Sequence, residues 1–126
     1  MTILSVDDSA TIRRIVKKTV TELGYDSMEA ADGASALKLL DDNAHLINVV
    51  ILDWNMPGMT GLEVLKQIKS NPKLSGVVVM MLTSEADQSF VLDALRNGAQ
   101  NYLTKPFDSK LLQLKIQESL SLASKV

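Results

Sequence analysis

The sequence predicts an α/β fold, a doubly wound five-stranded parallel sheet with helices on both faces, and three observations lead there. Short runs rich in β-branched and aliphatic residues alternate with stretches of helical period from one end of the chain to the other. The two central runs, residues 49–52 (VVIL) and 77–82 (VVVMML), are apolar at successive rather than alternate positions, as expected of strands covered on both faces. Strict strand-helix succession favours parallel pairing, because each helix carries the chain back to the same edge of the sheet.

In chain order, strands are expected at residues 3–6, 27–30, 49–52, 77–82 and 101–103, the second being the weakest. Helices are expected at residues 10–23, 33–43, 62–70, 87–97 and 109–123. In the first helix Ile12, Ile15, Val16, Val20 and Leu23 fall within one apolar arc, with Arg13, Arg14, Lys17 and Lys18 opposite, a basic face that reads as solvated. In the last helix Leu112, Ile116, Leu120 and Ala123 share a face, which leaves Leu114 roughly opposite and Leu111 on the flank. Ser9, Asp87 and Asp108 stand where N-caps are expected, Gly24 and Gly98 where C-caps are.

A chain of 126 residues suffices for one domain with a single core and leaves no room for a second. Its 46% hydrophobic and 22% charged residues are ordinary globular usage, not that of a disordered chain. A net charge of −2 supplies no positive field for nucleic acid or an anionic membrane. With no cysteine there is no disulfide framework, thiolate zinc site or thiol nucleophile. Apolar runs fall far below the roughly 20 residues that span a bilayer, and the start lacks a basic signal-peptide region. A soluble cytoplasmic monomer is the expectation.

In an open parallel sheet, ligands bind beyond the carboxyl ends of the strands, where the winding reverses. Asp7 and Asp8 follow the first expected strand, Asp53 ends the third, Thr83 the fourth, and Lys105 follows the fifth, so one edge gathers three carboxylates, a hydroxyl and an ammonium. Each carboxylate pair at about 4 Å repels by roughly 4 kcal/mol at an effective dielectric near 20, so the cluster calls for cations. Lys105 supplies one. Hard oxygen donors without histidine or cysteine favour Mg²⁺, or Mn²⁺, for the remainder.

The segments Asp7-Asp8-Ser9, Asp53-Trp54-Asn55-Met56-Pro57-Gly58-Met59-Thr60-Gly61, Leu82-Thr83-Ser84 and Lys105-Pro106-Phe107, in this order, resemble the receiver domains of two-component signalling, particularly the single-domain chemotaxis (CheY-like) kind. The likeness runs over essentially the whole chain. It implies a flavodoxin-like strand order 2-1-3-4-5; such proteins already exemplify the switch-point rule, so the position of the site is not independent of the resemblance. It further implies that Asp53 is the phosphoacceptor and that Asp8 and Asp53 bind the metal, with Asn55 through its carbonyl and Asp7 largely through water. Lys105 would pair with a phosphoryl oxygen after a cis Lys105–Pro106 bond. Thr83 and Tyr102 would form the switch, and Phe90, Val91, Tyr102, Leu111 and Leu114 the partner face.

The implied partners are a histidine kinase or phosphotransfer domain, docking near the first helix, and a separate downstream protein such as the flagellar motor switch. The chain then reads as a signalling receiver rather than an enzyme, assisting only its own Mg²⁺-dependent phosphorylation and dephosphorylation. Asn55 and Glu85 resemble the pattern of short-lived signals, lasting seconds to minutes. Alternatives are a phosphorelay shuttle or phosphate sink, or a hydrolase with an aspartyl-phosphate intermediate. Such hydrolases resemble Asp-x-Asp where this chain has Asp53-Trp54-Asn55. A degenerate receiver and a flavin protein rank lower, because the reactive positions are all present and no Ser/Thr-rich loop follows the first strand. Trp54 reads as a half-buried loop residue and His45 as solvated.

Overall fold

In a computed structural model, which describes residues 1–84 and 88–123, five parallel strands form one sheet of order β2-β1-β3-β4-β5. The elements are β1 (Thr2–Val6), α1 (Ala10–Glu22), β2 (Asp26–Ala30), α2 (Gly33–Asp42), β3 (Ile47–Asp53), α3 (Gly61–Ser70), a 3₁₀ turn (Pro72–Leu74), β4 (Val78–Thr83), α4 (Gln88–Arg96), β5 (Asn101–Thr104) and α5 (Ser109–Ala123). All ten expected strands and helices are present, with ends displaced by one or two residues; the 3₁₀ turn, begun by Pro72, was not expected.

Successive residues of each central strand enter opposite layers. Val49 and Ile51 pack with Val16 and Val20 of α1 and Leu112, Ile116 and Leu120 of α5, whereas Val50 and Leu52 pack with Ala36 and Leu40 of α2 and Val64, Leu65 and Ile68 of α3. Burying a residue of this size contributes about 1.5–3 kcal/mol, so the apolar runs of β3 and β4 hold both layers. The apolar arc of α1 is narrower than expected: Val16 and Val20 are buried, but Ile15 lies exposed at the rim.

The caps fix where the loops of the carboxyl edge begin. Ser9 Oγ accepts the Ile12 N–H and Asp108 Oδ1 the Leu111 N–H, as expected. Asp32 and Thr60, not foreseen as caps, accept the N–H groups of Ser35 and Glu63, and the Thr60 hydroxyl donates to Glu63 Oε1 at 3.3 Å. Asp87 and Glu85 lie outside the described residues. Gly24 and Gly98 take φ of +88° and +101°, the left-handed conformation that ends a helix without a Cβ penalty.

Candidate functional site

The winding reverses between β1 and β3, whose registers pair Val6 with Leu52. One residue further on, Asp7 and Asp53 therefore emerge side by side at the strand spacing of about 4.8 Å. Carboxylate oxygens of Asp7, Asp8 and Asp53 all lie within 4.8 Å of one another. Asp7 and Asp53 are buried and Asp8 is exposed, so the cluster opens to solvent on the Asp8 side.

Lys105 crosses back from the end of β5. Its Nζ lies 3.0 Å from Asp7 Oδ2 and 3.5 Å from Asp53 Oδ1. Its backbone N–H donates to the Thr83 carbonyl at 2.6 Å, and the Lys105–Pro106 bond is cis. The Asn55 N–H donates to Asp53 Oδ1 at 3.4 Å, which sets this residue's backbone beside the carboxylate. Ser9 N–H donates to Asp7 Oδ1 at 2.9 Å.

One ammonium does not balance three carboxylates. Burial first, and the adjoining Asp7 carboxylate second, push the Asp53 carboxyl up to about 7, against weaker opposing pulls from Lys105 and the Asn55 N–H. A divalent cation would reverse that balance. The donors are all oxygen, close enough to share one ion and open on one side, a set suited to Mg²⁺.

The loop after Asp53 is held tightly. Trp54 N–H donates to the Leu82 carbonyl and the Gly61 N–H to the Trp54 carbonyl. A Cβ on Gly61 would run into the Asp53 carbonyl oxygen and come within 2.8 Å of Trp54 Cα, so only glycine lets α3 begin directly against the strand end.

Thr83 is buried at the end of β4, beside Asp53's strand, while Tyr102 on β5 is 39% exposed, with Lys115 Nζ 5.7 Å from its ring centroid. Both line one narrow apolar pocket with Trp54, Phe90 and Val91. Trp54 is half-buried, as expected, its ring centroid 5.5 Å from that of Phe90.

The proposed partner face needs correction at α4. Val91 faces inward and is buried, so it cannot serve as exposed contact surface, whereas Leu92 and Leu95 on the same helix are exposed. Val91 and Ala94 of this helix lie over β4, lining one pocket with Met81 and Thr83. Phe90 is half-buried, and Leu111 and Leu114 are exposed as expected.

Arg13 was missed. Assigned to the solvated face, it instead reaches the Asp7 carbonyl with Nη1 at 2.7 Å and Glu29 Oε1 with Nε at 3.0 Å. The available signal was its position one turn after the N-cap Ser9, since helical side chains lean toward the N-terminus. Arg14, Lys17, Lys18 and His45 are exposed, in keeping with the sequence reading.

A parallel α/β domain with an acidic switch point and a lysine returning to it is the arrangement that the resemblance to receiver domains implies. The chain is a member of the response regulator receiver domain family, matching it over residues 3–117. It is 42% identical to the chemotaxis protein CheY homolog of Campylobacter jejuni, over 98% of this chain and 95% of that one. Chemotaxis protein CheY1 of Helicobacter pylori is also 42% identical, over 93% and 94% of the two chains. Among solved structures, chemotaxis protein CheY4 of Vibrio cholerae superposes with a TM-score of 0.88 at 34% identity, covering 94% of this chain and 98% of that one. The chain is thus a receiver homologous to the chemotaxis proteins, in a family of signalling switches that bind Mg²⁺ at an acidic pocket. Among the described residues no helix is long and apolar enough to cross a membrane.

Proposed function

We propose that this chain is a stand-alone, cytoplasmic and monomeric phosphorylation switch, in which Asp53 takes a phosphoryl group from a histidine kinase or phosphotransfer domain. The altered surface then regulates a separate protein in chemotaxis, such as the flagellar motor switch. The observation that carries the reading is the meeting of Asp7, Asp8 and Asp53 within 4.8 Å under the Lys105 ammonium.

Asp8 and Asp53 would hold Mg²⁺ directly, Asn55 through its carbonyl and Asp7 mainly through water. When bound, the ion lowers the repulsion between a negative nucleophile and a negative phosphoryl donor. An Asp53 carboxylate oxygen attacks phosphorus, the phosphorus–nitrogen bond of the phosphohistidine breaks with its electron pair going to the imidazole, and an acyl phosphate results. Lys105 pairs with one phosphoryl oxygen, and the Thr83 hydroxyl donates to another.

Thr83 and Tyr102 border the same pocket, so movement of the threonine toward the phosphoryl group makes room for the tyrosine to turn inward. The surface around Tyr102, Phe90, Leu111 and Leu114 then changes shape, with Leu92 and Leu95 joining it on the observed helix orientation. The resemblance of Asn55 and Glu85 to the pattern of short-lived signals supports a phosphoryl lifetime of seconds to minutes, Glu85 lying outside the described residues.

Trp54 fluorescence tests the reading, by titration with Mg²⁺ and then with acetyl phosphate. Wild type should respond saturably to both, and Asp53→Asn should lose the phosphodonor response. An unaltered response in that variant overturns the assignment of Asp53.

A further inference from the structure

Resting on the metal site just proposed, we infer that Arg13 is a positioning residue for it, clamping the peptide between Asp7 and Asp8 so that the Asp8 carboxylate is held ready for the ion. The Asp7 carbonyl accepts from Arg13 Nη1 at 2.7 Å, while Arg13 Nε is engaged by Glu29 Oε1 at 3.0 Å. The guanidinium is planar, so fixing Nε on β2 leaves Nη1 little freedom in where it points. With a side chain only 16% exposed, Arg13 is not a waving surface cation.

The consequence follows from the planarity of the peptide. Carbonyl and N–H of the Asp7–Asp8 unit rotate together, so a restrained carbonyl fixes the direction in which the Asp8 backbone leaves the strand. Asp7 is otherwise well secured: its N–H donates to the Ala30 carbonyl, and its carboxylate takes the Ser9 N–H and the Lys105 ammonium. Asp8, exposed and following directly, depends on that peptide for its aim. Glu29 completes a relay from β2 through α1 to the metal-bearing loop.

Arg13 can be separated from a plain charge by the sign of its effect. A cation near the acidic cluster repels Mg²⁺, so deleting a mere charge tightens binding; deleting a clamp weakens it. Mg²⁺ titration of the full chain, followed by Trp54 fluorescence, should show Arg13→Ala and Arg13→Lys both weakened by about 10-fold, the lower end for groups that orient metal ligands. Arg13→Lys keeps the charge but not the fork. Glu29→Ala should weaken binding in the same direction by less, and serves if an Arg13 variant fails to fold. Tighter binding in Arg13→Ala, or wild-type affinity in Arg13→Lys and Glu29→Ala, overturns the inference. Asp8→Asn is the control: if it binds Mg²⁺ as wild type does, the metal site itself is wrongly assigned, whatever Arg13 does.

Discussion

At the amino ends of the strands, polar groups meet partners that add no like charge. The Thr2 N–H donates to Asn48 Oδ1 at 2.9 Å, and Asn101 Nδ2 donates to Ser119 Oγ at 3.1 Å. Lys69 Nζ donates to the Val77 carbonyl at 3.2 Å and to Gln100 Oε1 at 3.0 Å. At the carboxyl ends, the same strands deliver three acidic side chains to one place and, among the described residues, a single ammonium to meet them. Lys69 and Asp53 are both desolvated, yet burial alone lowers the lysine, whereas Asp53 is raised by burial and by a neighbour of its own sign. One end is satisfied; the other is held in a state that a cation or a covalent phosphoryl group can relieve. Reactivity is located where the fold tolerates electrostatic conflict.

The largest expected effect comes from removing that conflict. Asp53 has a folded-state value of about 7, above its unfolded value near 3.8, so the native protein binds the proton more tightly. Stability contributed by the protonated form is therefore lost as pH rises through that window. Without divalent ions, Asp53→Asn should be more stable than wild type at pH 8 by on the order of 2–4 kcal/mol, and the gap should close toward pH 4. Urea unfolding across this range checks it; a gap independent of pH would mean that the acidic rim is not strained.

Next in size is Gly61→Ala. The added methyl meets main-chain atoms of Asp53 and Trp54, which cannot swing aside as a side chain would. A loss of about 1–3 kcal/mol is expected, the usual cost of overpacking, with a displaced Asp53 and weaker Mg²⁺ binding. Urea midpoints and Trp54 titrations report the two effects separately. A smaller change, about 1.4 kcal/mol per pH unit, is expected in Mg²⁺ affinity, because the ion competes with the Asp53 proton. Binding should fall up to about 10-fold per unit below pH 7 and level off above it, as followed by fluorescence.

The sheet and its acidic edge were legible because they rest on local patterns: apolar runs for β3 and β4, and acidic residues directly after β1 and at the end of β3. The registers then bring Asp7 beside Asp53 by backbone spacing alone. What escaped depends on side-chain reach or helix rotation. Arg13 sits on the polar arc of α1, yet its long side chain leans back over the helix start. In α4, Phe90, Val91, Leu92 and Leu95 offered too many apolar positions to choose an inward arc, and packing above β4 selected Val91 and Ala94. Gly61 gave no signal beyond its motif, because the collision it avoids is with backbone at the end of β3 and the start of the loop, seven and eight residues earlier in the chain.

Lys69→Met gives the smallest effect and tests the other side of the comparison. The lysine stem packs under Gly98, where a Cβ would come within 3.0 Å of Lys69 Cγ, and methionine preserves much of that packing. Gln100 Oε1 keeps the Val79 N–H at 2.9 Å, leaving the Val77 carbonyl as the principal group to lose a partner. The net cost should be about 1 kcal/mol, since a lost hydrogen bond is partly offset by no longer desolvating an ammonium. Burial holds the Lys69 ammonium below its ordinary value, so the native state binds fewer protons than the unfolded one and wild type should gain on the variant as pH rises toward 10.5. Mg²⁺ affinity and phosphoryl uptake should remain at wild-type levels, measured beside Asp53→Asn. A change in either would show that the two ends of the sheet communicate, and the division between a neutral end and a reactive one would have to be redrawn.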